Sequence, residues 1–424
     1  MVSLGDLAEI NHPRSSKKID PEDIVSFIPM ADITEGGRWI NRQSRKYKEV
    51  RQGFTYFEEG DVLFAKITPC MENGKGCHAI GLDNGIGFGT TEFHVLRARE
   101  DADPGFIYQW SIYHDLRRQA KNSMTGSAGQ QRVPKEFFKK FLVPLISKPE
   151  QTKIAEILST VDRAIEQTEA LIVKQQRIKT GLMQDLLTRG IDEHGNLRSE
   201  KTHQFKDSPL GRIPVEWEVD ELETVCEFVT SGSRGWAQYY SSEGAMFLRI
   251  GNLTRDHINL RLEDMAFVNP PRTSEGKRTS VSPGDLLISI TADLGIIGVI
   301  PVGFGEGYVN QHIALVRLLP EKANSRFIGW FLSGQGGQNQ FEKLNESGAK
   351  AGLNLPTIRK LLVPIINPVE QKRIAEILDA NSNWVSDLYS KLRKHYSLKT
   401  ALMLDLLTGK RRVVALLNST MPAN

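Results

Sequence analysis

The sequence predicts an α+β protein in which two globular mixed α/β bodies alternate with two long helices, packed on each other as an antiparallel coiled coil. Three observations carry that prediction. An internal repeat runs through the chain at an offset of 220 residues. Each copy ends in a stretch whose apolar residues recur every 3.5 positions, the period of a coiled-coil seam. The remainder consists of short apolar or alternating runs bounded by Gly, Pro, Asn and Asp, which is how strands are punctuated.

The repeat comes first because it decides the architecture. Residues 141–158 read FLVPLISKPEQTKIAEIL and 361–378 read LLVPIINPVEQKRIAEIL, identical at 11 of 18 positions. LMQDLLT at 182–188 returns as LMLDLLT at 402–408, identical at six of seven. FIPMADIT at 27–34 aligns with FLRIGNLT at 247–254, and GDVLFAKIT at 60–68 with GDLLISITA at 284–292, the last pair at an offset of 224. Between these anchors the copies diverge almost completely, so each half has a variable body and a repeated tail. The boundaries expected are a first body at 1–146, a helix at 147–190, a polar linker at 191–211, a second body at 212–366, a helix at 367–410 and a tail at 411–424.

In the first repeated tail the seam runs through Ile154, Leu158, Val161, Ile165, Thr168, Ile172, Gln175, Lys179, Leu182 and Leu186. In the second it runs through Ile374, Leu378, Asn381, Val385, Leu388, Leu392, His395, Lys399, Leu402 and Leu406. Each helix follows a Pro-containing segment and stops near Gly190 or Gly409, with Arg189 or Lys410 where a cation suits the C-terminus. About 40 residues at ~1.5 Å each make a rod on the order of 60 Å. The polar pairs Gln175 and Lys179, or His395 and Lys399, are either solvated or they fix register and partner at a cost in stability. Either stripe alone would be exposed to water, so the two copies are expected to pack together, and the symmetry of the repeat makes them antiparallel. In the bodies, VSFIPM, DVLFAKI, FHVLRA, MFLRIG, DLLISIT and IALVRLL read as strands, with helices around 104–122 and 323–344.

Composition is that of an ordinary globular protein, 40% apolar and 25% charged, with 36 Gly and 19 Pro scattered along 424 residues. A net charge of +3 permits nucleic-acid binding only through a local basic surface. Cys70, Cys77 and Cys226 are an odd number at no framework spacing. A metal corner of Cys70, Cys77 and His78 lacks a fourth ligand and has longer spacing than zinc sites prefer, so no metal is expected. No 18-residue uncharged apolar run occurs, and the start MVSLGDLAEI lacks the basic and apolar regions of a signal peptide, so a cytoplasmic protein without membrane contact is expected.

FKDSPLGRIPVEWE at 205–218, the two copies of LVP(L/I)I with EQ and IAEIL, and the two copies of LM.DLLT together resemble the specificity subunit of type I restriction-modification systems. The resemblance covers nearly the whole chain to about Lys410. It departs at the start, where nothing matches Trp217, and at RRVVALLNSTMPAN, 411–424, which fits no element of the family. It implies two target-recognition domains, each reading one half of a bipartite site in double-stranded DNA. The helices would space them and dock two methyltransferase subunits, and through these the restriction and translocase subunits. It also implies no catalytic site and no cofactor in this chain, with S-adenosylmethionine, ATP and Mg belonging to the partners.

Reading bases requires Arg or Lys for guanine and Asn or Gln for adenine, with more cations on phosphate. The first body offers Arg38, Trp39, Asn41, Arg42, Gln43, Arg45, Lys46, Tyr47, Lys48 and Arg51, opposed only by Glu49. A solvated charged face is the plain alternative. KITPCMENGKG at 66–76 adds Lys66, Thr68, Asn73 and Lys75, or is a glycine turn with incidental lysines. The second body offers Arg249, Asn252, Arg255, His257, Asn259 and Arg261, then Arg234, Trp236, Gln238 and Tyr239, and Ser289, Thr291 and Asp293. Asn310, Gln311 and His312 align with Thr90, Thr91 and Glu92. These define regions rather than individual contacts.

Catalytic alternatives find little support. Asn269, Pro270, Pro271 and Arg272 resemble the tetrapeptide of amino-methyltransferases, but Arg stands where an aromatic would stack, and no Gly-rich cofactor loop follows a strand. No GxxxxGK[ST], HExxH or GxSxG occurs. A coiled-coil adaptor that binds only protein would not need two divergent bodies of this size.

Overall fold

A computed structural model describes residues 1–14, 18–127, 129–270, 274–346 and 353–418. Contacts divide the chain into two units, one of Met1–Glu169 with the segment from Ser390 onward, the other of Ala170–Tyr389. The long helices are continuous, Lys148–Leu186 and Pro368–Leu407, and each gives one half to each unit. Each helix half therefore contributes to the core of the unit it belongs to.

The two units repeat one topology. In the first, Val2–Ser3 pairs with Leu142–Val143, and an antiparallel sheet runs in the order Ala8–Ile10, Phe93–Ala98, Val62–Ala65, Gly76–His78. A second sheet runs Gln43–Lys46, Ile24–Ile28, Ile86–Gly89, Thr55–Glu58. In the second unit Glu218–Glu221 pairs with Leu362–Ile365, and the first sheet becomes Cys226–Ser231, Ile313–Leu318, Leu286–Ser289, Ile297–Val299. The other becomes Tyr240–Ser241, Ala266–Val268, Ala245–Leu248, Gly307–Val309. Each of these second sheets holds a parallel pair in the same register, Ser26 beside Gly87 and Met246 beside Gly307. The units part at both edges of this sheet. Tyr240–Ser241 has no counterpart beside Gln43–Lys46, and where Thr55–Glu58 pairs along Ile86–Gly89, the matching edge at Tyr308 carries an isolated bridge to Ser280 among the described residues.

A buried acid is repeated with the topology. Asp61, 2% exposed, takes Arg97 at 2.9 and 2.7 Å and the Glu58 amide at 2.7 Å. Asp285, 1% exposed, takes Arg317 at 2.8 and 2.7 Å and the Ser282 amide at 2.6 Å. A carboxylate taken from water is tolerated in both because its lone pairs are met by a fork of charged donors and a backbone N–H.

Apolar packing joins helix halves to sheets. Phe64, Phe106 and Phe138 share a core with Ile154 and Leu158 of one helix and Leu406 and Leu407 of the other. In the second unit Leu286, Val316, Phe327 and Trp330 share one with Leu186, Ile374 and Leu378. The seam residues Ile165, Ile172 and Leu388 are also buried, and Val161, Leu182, Val385, Leu392 and Leu402 are half-buried. Within the first unit Lys399 meets Asp162 at 2.6 Å and Tyr396 donates to Glu169 at 2.6 Å, so the helix halves run antiparallel, as the repeat requires.

Of the polar interruptions of the seam, Gln175, Lys179 and Lys399 are held by partners, whereas His395 Nδ1 is buried without one among the described residues. Asn381 donates to Gln175 at 3.3 Å, both side chains buried. Lys179 leaves the seam, bonds the Asp256 carbonyl and lies 5.0 Å over the Trp330 ring. Of the two sequence-level alternatives, simple solvation is excluded for Gln175, Lys179 and Lys399.

The helices stop at Leu186 and Leu407, and turns carry the chain to Gly190 and Gly409, both with positive φ. At Gly190 a Cβ would lie 2.1 Å from Glu370 Oε1 and 2.4 Å from Trp217 Cζ2, so only glycine fits that turn. The tail is used as well: Arg412 pairs with Glu150, and Val413 is buried in the first unit's core. Among the described residues no helix is long and apolar enough to cross a membrane, and no three metal-binding side chains cluster.

Candidate nucleic-acid interface

The basic run of the first unit falls on a sheet edge. Gln43–Lys46 pairs on one side only, with Ile24–Ile28, so its outer row of backbone groups and its long side chains face outward. Arg45 is exposed, lies 5.6 Å over the Phe27 ring and donates to Gln43 at 2.8 Å. Lys46 and Lys48 both meet Glu22, and their ammoniums hold that exposed carboxyl down to about 2. Arg42 stacks 4.3 Å over Trp39 and donates to the Ile80 and Gly81 carbonyls at 3.1 and 2.9 Å. Asn41, at φ 44, reaches Asp32 at 3.4 Å. Arg38 turns to the helix instead, 2.7 Å from Glu169, and lines a cleft of about 830 Å³ with Trp39, His78, Asp162 and Lys399.

The 66–76 loop is tied down through its backbone. The Lys66 amide bonds the Glu92 carbonyl at 2.9 Å and the Thr68 amide bonds Gln131 at 3.0 Å. Thr68 is half-buried, and its hydroxyl lies 3.8 Å from Met124 Sδ. Asn73 donates to Glu35 at 2.9 Å and Lys75 to the Met30 carbonyl at 3.1 Å. Asn73 is exposed and Lys66 half-exposed.

In the second unit the candidates separate into two kinds. Trp236, 3% exposed, stacks on Phe247 at 5.5 Å and 8° in a cluster with Tyr239 and Tyr308, which is a core position. Asn252 is buried, accepts from the Arg249 amide and donates to the Arg261 carbonyl, so it shapes a turn. Arg234 is exposed, and Arg249 is half-buried with a bond to the Asp264 carbonyl. Arg255 and Asp293 are brought together at 2.5 Å on the surface. Thr291 and Gln311 converge on His312, at 2.8 and 3.1 Å from its two ring nitrogens. The corresponding place in the first unit holds the pair Glu92 and Arg132. The same frame thus presents different polar groups in each copy.

The sequence reading missed Arg14. Its exposed guanidinium sits 4.9, 5.5 and 5.4 Å over the rings of Tyr47, Tyr56 and Phe88. Those rings converge only through sheet pairing, so no local pattern marks them. Cys77 is buried, which pushes its thiol well above the usual range. Pro271 and Arg272 of the NPPR tetrapeptide lie outside the described residues.

Two units of one topology with unlike polar surfaces define a duplicated recognition architecture. The family described as Type I restriction modification DNA specificity domain matches residues 1–175 and 214–394, once per copy, and the chain belongs to that family. It is 37% identical over 188 residues to the Type I restriction enzyme EcoAI specificity subunit of Escherichia coli, covering 42% of this chain and 31% of that one. Over the same length it is 35% identical to the EcoEI specificity subunit of Escherichia coli, with the same coverage of each chain. It spans about a third of the length of these two relatives. The MjaVIII specificity subunit of Methanocaldococcus jannaschii is 26% identical over 303 residues, 70% of this chain and 68% of that one. Among solved structures, the S subunit of a type I system from M. genitalium superimposes with a TM-score of 0.60 at 15% identity, over 96% of this chain and 95% of that one. A chain from a study of complex assembly in the type I R-M system gives 0.50 at 18%, over 97% of each. At those identities the likeness is one of fold.

Proposed function

We propose that this chain is the specificity subunit of a type I restriction-modification complex, a non-catalytic protein whose two units each read one half of a bipartite DNA target. The observation that carries this reading is the pair of matched frames with unmatched polar groups, such as Thr291, Gln311 and His312 where the first unit has Glu92 and Arg132. Two different half-sites demand that divergence, whereas one active site would not. Arg42, Arg45, Lys46 and Arg234 are exposed and suit phosphate, while Asn73, Thr291, Asp293, Gln311 and His312 carry the donors and acceptors that base edges require.

The long helices space the readers and dock two methyltransferase subunits, which in turn recruit the restriction and translocase subunits. Exposed Leu171, Val173, Ile178, Ile377, Trp384 and Tyr389 on the helix halves of the second unit suit such docking. S-adenosylmethionine, ATP and Mg belong to the partner subunits, and the assembly works in the cytoplasm, where its DNA is.

The test is a swap of residues 1–146 for the first domain of a specificity subunit with a different target. One half-site should change while the other and the spacer stay. A change in both half-sites, or binding that ignores sequence, sinks the proposal. A second outcome follows from the phosphate contacts. Arg45→Ala or Lys46→Ala should weaken binding to all sequences alike and reduce the slope of log affinity against log salt by about 1 each. A loss confined to one base position would reassign that residue to base reading.

A further inference from the structure

We infer that Arg117 is a positioning residue that fixes the 66–76 loop for reading the first half-site, and that Gln338 does the same for residues 290–295 and the second half-site. The inference deepens the proposed function and rests on it.

Arg117 stands on the helix His114–Asn122, is 7% exposed and lies 4.0 Å over the Phe64 ring. Its three nitrogens donate to three carbonyls: Nε to Ser111 at 2.6 Å, Nη1 to Met71 at 3.0 Å and Nη2 to Lys75 at 3.1 Å. Among the described residues no carboxylate lies within ion-pair distance of it. A buried cation with no counter-charge is among the costliest things a core can hold, and burial pulls this guanidinium down to about 9. Leu116 and Phe64 beside it show that an apolar side chain would suit the surroundings.

What the arginine supplies is geometric. Its fork reaches both the inner turn of the loop, at Met71, and its return, at Lys75, and ties them to one point of the helix. A Cβ on Gly76 would press 3.1 Å against Nη2 and 2.5 Å against the Leu63 carbonyl, so the loop is fitted to this side chain. With those two points fixed, the segment that carries Thr68 and Asn73 is held in one shape.

The second unit repeats the arrangement with a different residue. Gln338 Nε2 donates to the Leu332 carbonyl at 2.8 Å and to the Gly295 carbonyl at 2.9 Å. Residues 332 and 338 lie 221 positions after Ser111 and Arg117, and Gly295 lies 220 after Lys75. The helix-to-loop tie therefore survives where the side chain has changed from a cation to an amide. Gln338 Oε1 also accepts from Arg255 at 2.8 Å, and Arg255 pairs with Asp293 on the loop itself, so the anchor touches the surface that would face DNA.

The test uses the full chain with methyltransferase subunits and a pool of randomised DNA duplexes, reading the bound sequences. Arg117→Met should lower the preference for the first half-site about tenfold and leave the second within about twofold, and Gln338→Leu should do the reverse. An intact second half-site shows that the second unit is folded, and an unchanged near-ultraviolet circular dichroism spectrum of the variant shows the same of the first. If Arg117→Met binds nothing, Arg117→Lys decides: it keeps the charge but cannot reach three carbonyls, and it should relax the first half-site alone. The inference is overturned if Asn73→Ala abolishes first half-site preference while the Arg117 variants leave it unchanged. If Asn73→Ala, Lys75→Ala and the Arg117 variants all leave it unchanged, the loop is not a reader and the inference falls with that assignment. A swap of 1–146 that still changes one half-site would keep the proposed function standing in either case.

Discussion

Glu370→Ala should cost about 3–5 kcal/mol of stability, enough to unfold the second unit under conditions where the wild type is native. Glu370 is 8% exposed and accepts three bonds: Arg198 at 2.5 and 3.1 Å, and the Ile191 amide at 2.9 Å. Its removal strands a buried guanidinium and a buried N–H together. Gly190 and Trp217 close one side of the site, where any Cβ at 190 would overlap, while Glu370 and Arg198 line an open cleft with His203 and Arg373 on the other. Water therefore offsets part of the loss, and the cost falls at the lower end of that range. Glu370→Gln should cost less, since it keeps an acceptor for Ile191 and forfeits the charge. The double variant Glu370→Met with Arg198→Met should recover much of the loss, because a buried pair replaced by apolar groups of similar volume is often neutral. Urea titrations of the four proteins decide this. A cost below about 1 kcal/mol for Glu370→Ala, or a double variant no better than the single, would remove the pair from among the main supports of the unit.

The architecture was legible because it rests on patterns of short period and on a repeat. Eleven identities in 18 residues locate the helix starts, and a 3.5-residue apolar period fixes which face is buried. Strands such as FHVLRA and DLLISIT appear within a residue or two of where the punctuation puts them. The site was legible only as regions, for a reason that particular residues make clear. Arg38 and Arg42 sit in one basic run, yet the first bonds a helix glutamate and the second stacks on Trp39. Trp236 and Arg234 are two positions apart, and one is core while the other is exposed. Residue type sets what a side chain can bond, but the long-range pairing of strands sets what it meets. Arg117 shows the extreme case, since nothing within HDLRRQAKN announces an arginine turned inward to three carbonyls.

Truncation after Lys410 should destabilise the first unit by about 3 kcal/mol or more. Glu150 and Glu370 are 220 residues apart and occupy the same place near the start of each long helix. Glu370 is satisfied by Arg198 and the Ile191 amide, from the segment after the first helix. Glu150, fully buried, is satisfied by Arg412 at 2.8 and 2.6 Å and the Val413 amide at 3.0 Å, from the segment after the second. The two locks have the same donors at different spacing: arginine follows the amide residue by seven positions in one and immediately precedes it in the other. That difference means that the 220-residue offset, which relates Glu150 to Glu370, does not relate Arg412 to Arg198. Arg412 is half exposed, so its ion pair is screened, and most of the expected cost lies in stranding the carboxylate and removing Val413 from the core. The sign with pH is determined. Arg412 and the Val413 amide hold the Glu150 carboxyl below its ordinary value of 4.5, so this contribution is fully present above that value and is lost as pH falls through the folded one. The truncated chain instead buries an unpaired carboxyl that gains stability by taking up a proton. The stability gap between the two proteins should therefore be widest near neutral pH and narrow toward pH ~4. Denaturation midpoints measured at both ends of that range test it, and a truncated chain as stable as the full one, or a gap that ignores pH, would leave Glu150 without the role its contacts assign it.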